Sequence, residues 1–311
     1  MKEEQNNKIN KLLEEYIHDF NKKKNLPFVV KDSIPIVWFG DINMYLSSPK
    51  KILTVGLNPS EQEFMKKDSF GEMVTLSKYE QRFEQIDLSQ GTNETNVAEL
   101  KNTLNNYFEV NPYKWFNKYN KLIEVFDCSY GGKYGSLTNT AIHIDIYSAI
   151  ATTPTWGKLD ERQRKQIINF NLFNELLESL NPDLILVSVN KETFDNVFDG
   201  YKTLSDNKFT GNNSIKVVEY DGRIVINGTN MQGTPFGGIK EESVKEVFEK
   251  TKNLCFYKRC RRPQIECSIG YLIDAGCSIE NIRRGCELYS RGYCISSIEE
   301  DNFESWGEVS K

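Results

Sequence analysis

Three short apolar runs constrain this chain more than any other feature. Lys51-Ile52-Leu53-Thr54-Val55-Gly56, Ala141-Ile142-His143-Ile144-Asp145-Ile146-Tyr147 and Leu184 to Val189 are dense in β-branched residues and have little polar face. Such runs read as strands buried on both sides, which is how strands of a parallel sheet under helices look. Helical patterns fall between and after them, at Trp115 to Phe126, 160–180, Lys191 to Phe198 and about 240–252. Two further strands are predicted at Lys216 to Tyr220 and Arg223 to Ile226, joined by the hairpin signal Asp221-Gly222. Strands alternating with helices predict an α/β fold, a three-layer α/β/α domain with a mostly parallel central sheet over residues 35–252.

Two flanks and one insertion complete the organisation. Residues 1–34 form a lead-in whose Ile9, Leu12, Leu13, Tyr16, Ile17 and Phe20 recur at helical spacing. Residues 61–110 are polar and weakly periodic, an insertion with some helix. Residues 253–311 change composition and predict a Cys- and Arg-rich helical module of two helices around Ala275-Gly276.

Charge and cysteine usage narrow the classes. The chain has 311 residues and 39 Lys and Arg against 44 Asp and Glu, a net charge of −5. Whole-chain electrostatics therefore do not advertise a nucleic-acid binder, and any DNA contact has to come from a local basic patch. Arg259, Arg261, Arg262, Arg283, Arg284 and Arg291 in the C-terminal module form either such a patch or a solvated basic face on a helical extension. No run reaches the roughly 20 apolar residues of a membrane span, and the first residues, MKEEQNNKIN, hold no apolar leader. A cytoplasmic, monomeric protein without a membrane partner is expected. Six of the seven cysteines, from Cys255 to Cys294, sit in the last sixty residues, none in a C-x-x-C pair and none near a His. Free thiols are expected, with no metal and no cofactor.

In open α/β sheets, sites form at the carboxyl ends of strands. Three such ends carry unusual residues: Gly56-Leu57-Asn58-Pro59-Ser60, then Asp145, then Asn227-Gly228-Thr229-Asn230-Met231-Gln232-Gly233. The set contains no nucleophile–base pair. The two histidines are His18, on the N-terminal helix, and His143, which reads as a structural strand residue. A site of Asn, Asp and backbone amides suits holding a water and stabilising a developing anion.

The turn Gly56-Leu57-Asn58-Pro59-Ser60 resembles the first motif of the uracil-DNA glycosylase superfamily, in the G-x-N-P form of the mismatch-specific uracil/thymine branch. Asn227-Gly228-Thr229-Asn230-Met231 is similar to the second motif, usually H-P-S or N-P-S. Asp145-Ile146-Tyr147 resembles the strand that usually ends in Asn. The resemblance spans about residues 35–250 and rests on the order and spacing of the motifs.

It implies a monofunctional DNA glycosylase acting on double- or single-stranded DNA. A nucleotide is flipped into the pocket at a cost of a few kcal/mol. Asn58 holds the attacking water, and backbone amides near Asn227 and Thr229 stabilise the leaving base. Gly56, Leu57, Pro59, Ser60 and Asn230 line the base and DNA site. Phe70, with Phe64 as rival, stacks on the base, and Met231, with Gln232 or Phe236, fills the duplex gap. No Schiff-base lysine falls in the matched motifs, so no strand cleavage is expected.

Two departures shape the expectation. The second motif lacks His and has Gly228 where Pro is usual. The strand-end Asn is replaced by Asp145, and a carboxylate accepts from the 4-amino group of cytosine where uracil offers an acceptor. A cytosine-type or otherwise modified base is therefore expected, in repair or in defence against phage DNA. The alternative is a non-catalytic reader of modified bases on the same fold; a third is a hydrolase of free nucleosides or nucleotides.

Overall fold

The computed structural model describes residues 2–88, 91–229 and 234–257. Asn230, Met231 and Gln232 lie outside the described residues. So does the C-terminal module from residue 258 onward. One compact unit ends at Glu249, and a second begins at Lys250.

The central sheet has six strands: β1 (Ile52–Gly56), β2 (Ile142–Asp145), β3 (Leu184–Val187), β4 (Lys202–Lys208), β5 (Ser214–Tyr220) and β6 (Arg223–Gly228). Their order is β2-β1-β3-β6-β5-β4. The pairs β2/β1, β1/β3 and β3/β6 are parallel, whereas β6/β5 and β5/β4 are antiparallel. The protein is thus mixed α/β with a mostly parallel sheet. Ile52, Leu53, Ile142, Ile144 and Leu184 to Val187 are all buried, as continuous apolar strands require. The hairpin between β5 and β6 turns on Asp221 and Gly222, both at positive φ (46° and 75°), the geometry that favours Asp-Gly in two-residue turns. Strand β4 was not anticipated. Its residues Lys202 to Lys208 are almost all polar, since it is the exposed edge strand, and apolar periodicity carries no signal there.

Helix α1 (Lys2–Lys23) buries the expected stripe from Ile9 to Phe20. It packs on α2 (Glu94–Asn105) and α4 (Phe170–Leu180), with the Gln5 amide donating to Ser179 O at 3.1 Å. Between these lies α3 (Phe116–Ile123), whose aromatic face is buried. The expected helix over 160–180 is two pieces. Glu161–Ile167 starts on an Asp160–Gln163 capping box, and α4 restarts where the Asn169 side chain accepts from Leu172 N. Asn in a cap position competes with continuing the first helix.

The polar insertion holds α2, capped by Asn93, and a hairpin of Met65–Lys67 with Met73–Thr75. After β3 come α5 (Lys191–Val197) and, beyond β6, α6 (Glu241–Tyr257).

Candidate active site at the carboxyl edge of the sheet

Register places the candidate residues in one row. Across β1/β2, Gly56 pairs with Asp145, while Val187 pairs with Val55 on one side and Asn227 on the other. These are carboxyl ends of four parallel strands, where α/β sheets build their sites. A cavity of about 750 Å³ opens there, within the roughly 300–1,000 Å³ of small-ligand sites. Gly56, Leu57, Asn58, Pro59 and Ser60 line it, as does Asp145.

Asn58 is held in one orientation. Its Nδ2 donates to Pro59 O and Ile150 O, both at 3.0 Å, with Thr152 Oγ1 at 3.4 Å. Two carbonyls can only accept, so the amide cannot flip. Its Oδ1 is left buried with no hydrogen-bond partner. A buried acceptor without a partner is costly and rare, and is explained when a bound group completes it.

Asp145 is also enclosed. Its side chain is 5% exposed and Oδ1 lies 3.7 Å from His143 Nε2. Gly56 is what lets it sit there, since a Cβ at that position would lie 2.4 Å from Asp145 Oδ1 and 2.9 Å from His143 Nε2. His143 is fixed from the other side, its Nδ1 2.9 Å from Thr54 Oγ1, which is in turn 2.6 Å from the Tyr130 hydroxyl. It is buried in the strand and bonded through Nδ1, yet it also lines the cavity, where the sequence suggested a structural residue rather than a pocket one. Phe39, Trp115, Phe116 and Tyr119 surround its ring.

Several lining residues were not anticipated. Glu63 is buried, accepts from the Tyr107 hydroxyl at 2.7 Å and lies 3.6 Å from Arg82 Nε. Burial pushes its carboxyl up to about 7; Arg82 and the Tyr107 bond oppose this, and the Asp145 charge adds to it. Tyr119 is fully buried, and its hydroxyl has no hydrogen-bond partner. Lys114 and Lys118 are two basic residues of the lining. The sequence signal for Trp115, Phe116 and Tyr119 was the helical pattern with an aromatic face over Trp115 to Phe126; Glu63 ends a one-turn helix capped by Ser60, whose side chain accepts from Gln62 N, and had no signal of its own.

Other expected residues go elsewhere. Phe70 is 88% exposed on the turn of the 65–75 hairpin, whose backbone is held by Asp68 Oδ1, and is not among the lining residues. Its rival Phe64 stacks on Phe83 at 5.5 Å. Aromatic lining comes instead from Phe39 and the 113–119 segment. Asn227 Oδ1 accepts from Val189 N at 3.2 Å, closing the turn after β3, and Asn227 does not line the cavity. Thr229 Oγ1 is bonded to Ser214 at the neighbouring strand.

Phe236, expected in a DNA gap, is instead fully buried. Its ring fills the space a Gly228 side chain would need, with Cδ1 2.1 Å from a Cβ built there. That contact explains why position 228 is glycine. Ser188 Oγ ties this loop down, donating toward Gly228 O and Thr229 O at 3.2 Å and accepting from Phe236 N at 3.0 Å. Ser188, Thr234 and Pro235 supply the lining on that side.

No family model, no curated protein and no solved structure matches this chain.

Proposed function

We propose that this protein is a monofunctional DNA glycosylase with a uracil-DNA glycosylase-like three-layer fold. It flips a modified or damaged base, of cytosine type or uracil, from DNA and hydrolyses its N-glycosidic bond, leaving an abasic site. The setting is base-excision repair or defence against phage DNA. The observation that carries the reading is Asn58: an amide clamped by two carbonyls, with a buried, unpartnered Oδ1, in a cavity at the carboxyl edge of the sheet.

Asn58 Oδ1 accepts a hydrogen bond from the attacking water and holds it in place, which replaces a diffusive encounter by a fixed one. Asp145 accepts from the 4-amino group of a cytosine-type base. The aromatic wall of Phe39, Trp115 and Phe116 covers the flipped base, and Lys114 and Lys118 take the flanking phosphates.

The test offers duplex and single-stranded DNA carrying uracil, thymine mismatches, or hydroxymethylated and glucosylated cytosine, with released bases identified by mass spectrometry. Base release that Asn58→Ala abolishes supports the reading. Release of uracil but of no cytosine derivative would overturn the role given to Asp145. Borohydride should trap no protein–DNA adduct; a trapped Schiff base would make Lys114 or Lys118 a nucleophile and end the monofunctional assignment.

One observation favours a second reading. Asn227 Oδ1 is committed to Val189 N, and among the described residues of the second motif, Asn227 to Thr229, none lines the cavity. A reader of modified bases would bind such DNA tightly and release nothing.

A further inference from the structure

Bond cleavage at a nucleotide leaves negative charge on the departing base, and a catalyst needs a donor placed where that charge grows. The second motif supplies no His, and Asn227 Oδ1 is bonded to Val189. Among the described residues, Tyr119 brings a hydroxyl that is still unused. It sits on α3, lines the cavity, is fully buried, and makes no hydrogen bond through its hydroxyl. An unmade hydrogen bond of this kind destabilises a fold, and its persistence is explained when a ligand completes it.

The ring has little freedom to move. Trp115 lies edge-on at 5.2 Å, Phe236 edge-on at 6.1 Å and His143 at 6.2 Å. Phe236 is itself tied through Ser188 to the end of β6, so the tyrosine is braced by the loop that carries the second motif. Burial, reinforced by the charge of Asp145, holds the phenol un-ionised far above its ordinary range. It therefore keeps its proton to donate at every working pH.

We propose that the Tyr119 hydroxyl donates the hydrogen bond that stabilises the carbonyl oxygen of the leaving pyrimidine, the task a second-motif His would otherwise perform. The assignment rests on the glycosylase reading above. The C1′–N1 bond breaks and its electron pair goes to the base. The oxygen of one water bonds to C1′. One hydrogen of that water stays on the new sugar hydroxyl and the other ends on the released base. Tyr119 keeps its own proton throughout.

The decisive variant is Tyr119→Phe, which removes one atom and leaves the ring packing intact. On a base that leaves poorly, kcat should fall by roughly 100-fold, with KM little changed and the melting temperature equal or higher. The loss should shrink on a base with an electron-withdrawing 5-substituent, such as 5-fluorouracil against uracil, because less charge then needs stabilising. An unchanged kcat, or the same loss on both bases, would overturn the proposal while the wild type still releases base. If the wild type releases no base from any DNA, the glycosylase reading fails and this assignment falls with it.

Discussion

Gly56 and Asp145 face each other across the parallel β1/β2 pair, so closely that a Cβ on Gly56 would stand 2.4 Å from Asp145 Oδ1. Gly56 therefore makes room for the carboxylate at the end of β2. Gly56→Ala should drive Asp145 and His143 out of place, since overpacking a filled site costs about 1–3 kcal/mol. We expect a lower melting temperature with unchanged far-UV circular dichroism, and base release reduced at least about 10-fold, the rate equivalent of 1.4 kcal/mol. Full activity in this variant would mean that the position of Asp145 is unimportant.

Glu63 predicts how stability responds to pH. In the unfolded chain its carboxyl ionises near 4.5, whereas the folded protein retains the proton to about 7. Between those values the folded state binds the extra proton, so stability falls as pH rises, by up to about 3 kcal/mol. Glu63→Gln keeps an acceptor for Tyr107 and cannot ionise. Its stability relative to wild type should climb from pH 4.5 to 7 and then level off. Parallel denaturant curves for the two proteins across this range would show that Glu63 is not the group responsible.

Lys114 and Lys118 are the cations of the cavity lining in a chain whose net charge is −5. If they meet phosphates, Lys114→Ala with Lys118→Ala should weaken binding to all DNA sequences alike. The slope of log K against log salt should drop by about 2, one for each phosphate no longer neutralised. A salt titration by fluorescence anisotropy reads this directly. An unchanged slope would remove DNA phosphates from their role.

Some of this was legible from local pattern alone. A strand buried on both faces needs an uninterrupted apolar run, so β1, β2 and β3 stood out; a two-residue hairpin needs positive φ twice, so Asp221-Gly222 marked the β5/β6 turn. The turn Gly56 to Ser60 could be placed at the end of a strand because it follows one of these runs directly.

Side-chain destination was decided by tertiary packing. Phe70 and Phe236 look alike in sequence, yet one projects from a polar hairpin and the other fills the hole above Gly228. Asn227 looked like a catalytic group until the end of β3 arrived beside it and offered the Val189 N–H. Glu63 meets Tyr107, 44 residues away, and Tyr119 joins Phe236 across a still longer stretch of chain. Periodicity and turn chemistry act over a few neighbouring residues, so the sequence by itself determined the buried strands, the β5/β6 hairpin and most of the helices, but not the polar edge strand β4 or the break in the 160–180 helix. Which carboxylate is desolvated and which hydroxyl is left without a partner depends on atoms brought together from distant segments, and only the tertiary structure decided those.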